Sequence, residues 1–383
     1  MKIVYCIHSV YNPGGMERVL LNKVLWLKEN TPWEVVIVTT DQEGREPFYK
    51  FPNGVILKDL EINYSRGNGL SPIGKIRDYF CRRRLHRQRL TEFLMRERPD
   101  LTITLYPSEA SFVPDIEDGS KKILEFHYSK NFRLQYNRKG LLGLADKWRT
   151  KADERLVKRF DQFVVLTKQD AEAWGNMQNM SVIPNAAIPV GKERSNCLEK
   201  RVIAVGRLDY QKGFDRLLQA WAKVVKKGGI TDWHLDIFGQ GEWENYLNGI
   251  IEENGLKSTV TIHKPVSDIA SEYAASSLLA MTSNYEGFPM VMLEAMSCGI
   301  CPVSMDFLCG PRDIIKDGVN GVLVENGDIN EFAEALISLI TNEKERQKMG
   351  REAAKITEEY SLLLVMKSWN NLFEKLLCQN CSK

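Results

Sequence analysis

Short unbroken apolar runs alternate along this chain with longer stretches whose apolar residues recur every three or four positions. The short runs have the length and branched side chains of strands buried on both faces; the longer ones have the period of helices. KIVYCIH (2–8), EVVIVTT (34–40), LTITL (101–105), KILEFH (122–127) and QFVVL (162–166) read as strands, with a helix at 15–29 and a basic helical region before the third strand. SVIPNAAIP (181–189) reads as a last strand running into a linker, and the polar stretch VGKERSNCLEK (190–200) as a domain boundary. The pattern then restarts. RVIAVG (201–206), HLDIFG (234–239), TVTIH (259–263), SLLAMT (277–282), CPVSM (301–305) and GVLVE (321–325) read as strands, with helices at 213–227 and 242–254.

Strands alternating with helices build parallel sheets covered on both faces. The expected fold class is therefore α/β, with two Rossmann-like parallel-sheet domains, 1–189 and 200–360, facing each other across a cleft. The helical stretch beginning at 361 is expected to cross back to the first domain. A chain of 383 residues exceeds one ordinary core, which agrees with two domains. In open α/β sheets ligands sit outside the carboxyl ends of the strands, so that edge is where chemistry is sought.

Composition narrows the classes. A net charge of +2 gives no overall field for nucleic acid. The start lacks the features of a signal peptide, and no run reaches the roughly 18 apolar residues of a membrane span, so a cytoplasmic location is expected. The cysteine pairs Cys298/Cys301 and Cys378/Cys381 have CxxC spacing. The first flanks a turn and the second lies in a tail, so no metal site is expected.

The richest stretch is TSNYEGFPMVMLEAMSCG (282–299). Gly287 permits a tight turn, and Pro289 suits a first helical position. Free amides of Met290 and Val291 would then form an anion-attracting helix start. Glu286 precedes the turn and Glu294 lies one to two helical turns inside, so the two carboxylates read as separate clamps for hydroxyl groups rather than as a paired acid and base. In GRLDYQKGF (206–214), Arg207 and Lys212 follow a strand's carboxyl end and could hold a diphosphate, with Gly206 and Gly213 giving the backbone room to approach a ligand. Two surface cations on a loop is the competing reading. Gly14 and Gly15 join the first strand to the first helix, a phosphate-approach signal or simply a turn, and not a GxGxxG fingerprint. His127, at the end of KILEFH, is either a cleft residue or a structural histidine.

Taken in order, NPGGMERV, FHYS, VIPNA, GRLDYQKGF, YEGFPMVMLEAMSCG and GVNGVLVENGD resemble the retaining glycosyltransferases of family four, with the GT-B fold, especially those extending bacterial surface polysaccharides or lipid-linked oligosaccharides. The resemblance implies transfer of a hexose or N-acetylhexosamine from a nucleotide sugar, UDP-linked or alternatively GDP-linked, to a glycan or polyprenyl-diphosphate-linked saccharide. The donor is a co-substrate; no cofactor and no metal are implied. Arg207 and Lys212 would bind the diphosphate and Glu286 with Gly287, Phe288, Pro289 and Met290 the donor sugar. Glu294 would hold the ribose, Gly15 would lie beside the phosphates and His127 near the transferred sugar. Base contacts fall on Lys264 to Val266, where relatives often have glycine. Alternative readings are a nucleotide-sugar epimerase or glycan phosphorylase of the same architecture, or a non-catalytic sugar-binding protein at a membrane.

Residues 75–98 carry nine Lys or Arg against three acids. Ile76, Phe80, Leu90, Phe93 and Leu94 supply an apolar stripe, and Arg82, Arg89 and Arg96 recur every seven residues. A basic amphipathic helix of this kind is expected to touch the inner membrane surface or the diphosphate of a lipid-linked acceptor.

Overall fold

The computed structural model describes residues 1–12, 14–69, 71–105, 107–136, 138–175 and 177–378, so Pro13 and Cys381 lie outside the described residues. Two wholly parallel sheets organise them. The first contains β1 (Lys2–Ile7), β2 (Glu34–Thr39), β3 (Val55–Asp59), β4 (Leu101–Thr104), β5 (Lys121–Glu125), β6 (Gln162–Val165) and β7 (Met180–Val182), in the order β3-β2-β1-β4-β5-β6-β7. The second contains β8 (Arg201–Val205), β9 (His234–Phe238), β10 (Val260–His263), β11 (Leu278–Met281), β12 (Cys301–Met305) and β13 (Val322–Val324), in the order β10-β9-β8-β11-β12-β13. Strand order reverses between β1 and β4 in one sheet and between β8 and β11 in the other. Each reversal opens a crevice at the carboxyl edge.

The central strands are continuous apolar runs because helices cover both faces. On one face of the first sheet, Leu20, Val24 and Leu27 of the helix Gly15–Asn30 pack with Met366, Trp369 and Phe373 of the helix Leu362–Cys378. The chain therefore returns from the second domain to finish the first. The opposite face is covered by Leu90, Phe93 and Leu94 of the helix Pro72–Glu97, together with Val157, Phe160 and Trp174. A single core around Trp221, Tyr273, Met292 and Phe332 fills the second domain. The segment 190–200 is irregular but docks on that domain: Arg194 donates to the Ser297 carbonyl at 2.6 Å, and Cys197 is buried.

The basic helix differs from its expected arrangement. It begins at Pro72, and its apolar residues do not form one stripe: Leu90, Phe93 and Leu94 are buried, whereas Ile76 and Phe80 stand in solvent. Arg82 bonds Asp78 and the Ile62 carbonyl, both at 2.6 Å; Arg89 bonds the Leu60 carbonyl; Arg83 bonds Ser111 at 2.8 Å. These three arginines fasten the helix to its own domain. No helix among the described residues is long and apolar enough to cross a membrane.

Candidate active site

A cavity of about 420 Å³ lies between the two carboxyl edges. The first domain contributes Gly15, Met16, His127, Tyr128, Ser129, Phe132, Leu166 and Asn185; the second contributes Arg207, Gln211, Tyr285, Glu286, Gly287, Phe288 and Met290.

The second-domain wall is built by knitting the loop after β8 to the loop after β11. Asp209 caps the turn Tyr210–Lys212 by accepting from the Lys212 amide at 3.3 Å, and the Asn284 amide donates to the Gln211 carbonyl at 2.7 Å. The glycines here serve the protein itself. A Cβ on Gly206 would stand 2.8–2.9 Å from the Lys212 stem, so Gly206 makes room for that side chain. Gly213, at φ +61°, lets the Thr282 carbonyl approach. Gly206 therefore admits the Lys212 side chain and Gly213 the chain just after β11.

The result is a held carboxylate. Lys212 Nζ donates to Glu286 Oε1 at 2.7 Å, Ser283 Oγ donates to the same oxygen at 2.9 Å, and Gln211 Nε2 donates to Oε2 at 3.1 Å. A carboxylate offers about four acceptor positions, so one remains for a ligand hydroxyl. Lys212 and Glu286, expected on different parts of a ligand, are an ion pair in this state. Arg207 is 70% exposed; it spends one bond on Gln211 at 2.8 Å and lies 3.4 Å from Asp209, leaving donors for an anion.

Pro289 precedes the helix Met290–Ser297 as its cap residue rather than opening it. The Met290 amide is therefore not free: it donates to the Phe288 carbonyl at 2.9 Å. Val291 keeps an unbonded amide among the described residues. Gly310, at φ +130°, is required because any side chain there would overlap the Pro289 ring. Glu294 is not a solvated helix residue. It accepts from the Tyr273 hydroxyl at 3.4 Å, and burial raises its carboxyl above the usual range against the pull of Arg18 and Lys212.

Across the cavity, His127 Nε2 lies 3.0 Å from Glu125 Oε1. Glu125 is fully buried and also receives Lys23 Nζ, which sits 3.9 Å from the centre of the Trp369 ring. Burial alone would raise the Glu125 carboxyl, but Lys23 and His127 outweigh it and hold it at about 2. Gly14 caps the helix Gly15–Asn30 without a side-chain bond, and the Glu17 carboxylate folds back over it. Burial raises Glu17, opposed by its own amide and by His8 and His127.

Gly15, His127, Arg207, Glu286, Gly287, Phe288 and Met290 line the cavity; Gly14, Lys212, Pro289, Val291 and Glu294 are not among its lining residues. Lys264 and Val266 do not line it. Lys264 is exposed and bonds both oxygens of Glu244, at 2.7 and 2.8 Å. Sequence reasoning missed Gln211, Ser129 and Asn185. Ser129 Oγ and Asn185 Oδ1 are buried, line the cavity and have no hydrogen-bond partner among the described residues. Buried polar atoms are otherwise almost always paired, so such orphans point to a polar ligand. FHYS and VIPNA carry these two residues, but only the tertiary structure shows them unpaired.

Two Rossmann-like sheets meeting at a polar cleft define the GT-B architecture. Residues 191–356 match the family model of glycosyl transferases group 1, and the chain carries a glycosyltransferase domain of that group. An uncharacterized glycosyltransferase of Haemophilus influenzae is 28% identical over 381 residues, covering 97% of this chain and 99% of that protein. The lipopolysaccharide 1,6-galactosyltransferase of Salmonella typhimurium is 25% identical over 385 residues, covering 98% and 99%. Among solved structures, S. aureus TarM in complex with Fondaparinux, alpha-GlcNAc-glycerol and UDP superposes with a TM-score of 0.76 at 17% identity, covering 97% of this chain and 99% of that one.

Proposed function

We propose that the chain is a retaining, metal-independent glycosyltransferase of surface polysaccharide synthesis. It moves a hexose or N-acetylhexosamine from a nucleotide sugar, UDP-linked before GDP-linked, to a glycan or lipid-linked saccharide. The observation that carries the reading is the Glu286 carboxylate: fixed by Lys212, Ser283 and Gln211, it presents one open acceptor position beside the exposed Arg207 guanidinium. An acceptor for a sugar hydroxyl and a donor for a phosphate thus lie side by side. Full-length relatives named as glycosyltransferases and a UDP-bound neighbour of the same fold support the choice.

In this reading Arg207 and Lys212 bind the donor diphosphate and oppose the charge that grows as it leaves. Lys212 then shares its ammonium between Glu286 and phosphate. Glu286 and the Gly287–Met290 backbone hold the sugar, Glu294 the ribose, and Gly14 and Gly15 border the phosphates. The base extends toward Lys264 and Val266 at the end of β10. Ser129 and Asn185 give the sugar or acceptor hydroxyls their first-domain partners, and His127 lies over the transferred ring. The test is a panel of UDP- and GDP-sugars with saccharide acceptors, the anomeric configuration of donor and product being read by NMR. Transfer with configuration preserved is expected. Inversion, or donor turnover without an acceptor, overturns the reading.

A further inference from the structure

Lys23, Glu125 and His127 form a chain of polar side chains behind the first-domain wall of the cleft, and only His127 lines the cavity. Successive residues of β5 point to opposite faces of the sheet. Ile123 faces the helices Gly15–Asn30 and Leu362–Cys378, whereas Leu124 and Phe126 face the other way. Glu125 takes the Ile123 side, where Lys23 of the helix Gly15–Asn30 donates to its Oε1. The two side chains are 0% and 4% exposed. Lys23 Nζ also lies 3.9 Å from the centre of the Trp369 ring, on the helix that returns from the second domain. His127 Nε2 lies 3.0 Å from the same Glu125 oxygen.

A buried Lys–Glu pair gains little over apolar residues of the same volume. Stability alone is therefore no reason to keep one here. Its electrostatic effect is definite. Burial raises the Glu125 carboxyl, Lys23 and His127 outweigh burial, and the group titrates at about 2. A full negative charge is thus fixed beside Nε2 at any working pH. Burial lowers the Lys23 ammonium against the pull of Glu125. Tyr5 of β1 also faces this carboxylate, and burial keeps its hydroxyl protonated. Glu17, raised by burial, faces His127 from the first turn of its helix. His127 Nε2 and Glu125 Oε2 are buried and have no aligned hydrogen-bond partner among the described residues. Ring and carboxylate are therefore within reach but not in line, and bonds of this kind commonly tighten when substrate arrives.

We propose that Glu125, balanced from behind by Lys23, is a positioning residue of the cleft: it holds the His127 proton on Nε2 and leaves Nδ1 as the acceptor for a hydroxyl of the bound sugar. Which ring nitrogen carries the proton is set by the bond the other one makes. Lys23 offsets the carboxylate charge, which would otherwise draw a second proton onto the ring. Trp369 seats Lys23, so the returning helix ends its work beneath the active site. The inference rests on the cleft being the site of sugar transfer, but its first test reads the free protein and needs neither donor nor acceptor.

The full chain is labelled with isotopic histidine, and the His127 ring signals are assigned by their loss in His127→Asn. Above about pH 9, where an imidazole is ordinarily neutral, NMR of the wild type is expected to show a protonated Nε2 and a bare Nδ1. Glu125→Gln is expected to abolish that preference and to lower kcat at least about tenfold, with the nucleotide dissociation constant unchanged. Because Glu125→Gln strands the Lys23 charge, Lys23→Met with Glu125→Gln is made beside it. The double variant should melt like the wild type, yet keep the mixed tautomer and the lowered kcat. A merely structural pair would instead let the double variant recover its turnover. A bare Nε2 in the wild type, an unchanged tautomer in either variant, or wild-type kcat in the double variant overturns the proposal.

Discussion

Gly287 lies against the backbone of the opposite lobe, and Gly287→Ala tests whether that closeness matters. A Cβ there would overlap the His127 carbonyl oxygen, stand 2.7 Å from its carbonyl carbon and lie 3.0 Å from Tyr128 Cα. These are backbone atoms, fixed by the end of β5, and cannot turn aside as a side chain would. Carbon atoms pack best at about 3.5–4.0 Å, so the lobes must separate by roughly 1 Å. That shift moves Glu286 and Arg207 away from His127, Ser129 and Asn185. Misplacing reacting groups by about 1 Å costs on the order of 10² in rate. The expected outcome is a fall of that size in kcat/KM for sugar transfer. Binding of the free nucleotide, held mainly by the second domain, should change by less than about threefold, well under the ~1.4 kcal/mol of a tenfold change. Transfer kinetics and calorimetric titration on the same preparation measure both. A folded Gly287→Ala protein with wild-type kcat/KM would refute the argument that this contact sets the catalytic spacing.

Lys212→Ala should lower turnover by about 10²–10³, and it should also cost stability because Glu286 loses its counter-ion. Adding Glu286→Gln should restore the melting temperature without restoring turnover; wild-type turnover in Lys212→Ala would remove the lysine from the mechanism. Asn185→Ala removes an orphaned buried acceptor, so it should leave folding intact and raise KM several-fold, whereas an unchanged KM would dismiss Asn185 as a ligand group. Glu109, buried after β4, has its carboxyl pushed up to about 7 by burial, although the Thr104 hydroxyl bonds it. The folded protein therefore keeps a proton there that the unfolded chain sheds above about 4.5, and stability falls as pH rises between these values, by roughly 3 kcal/mol in all. Glu109→Gln should flatten that slope in melts between pH 4.5 and 8, and an unaltered slope would contradict it.

The strands were legible because a parallel strand covered on both faces must be apolar throughout: KIVYCI, EVVIVT and RVIAV announce themselves. β3 did not, since it is an edge strand whose Ile56 and Leu57 remain exposed. The helix Gly140–Leu156 escaped notice for a related reason: Leu144 and Trp148 face solvent, so its apolar spacing marks no core. Arg207, Lys212 and Glu286 could be read from compact local motifs. Their pairing could not, because Lys212 and Glu286 meet across 74 positions of sequence. The meaning of Ser129 and Asn185 lies wholly in what the fold leaves unbonded around them.

The chain passes between the lobes near Ala187 and returns near Tyr360, and the Ala187 amide donates to the Tyr360 carbonyl at 2.8 Å. Both crossings are thus laced together. A second tie joins the lobes away from this crossing: the Lys168 and Gln169 amides donate to Asp313 Oδ2 at 2.8 and 3.4 Å and the Cys309 amide to Gln169 Oε1 at 2.7 Å, so a swing about the crossing must stretch or break these bonds. The span from 188 to 360 also enters and leaves at neighbouring points, as a cassette would, so grafting it onto a relative's first lobe requires matching that crossing together with the bonds of Asp313 and Cys309 to residues 168 and 169.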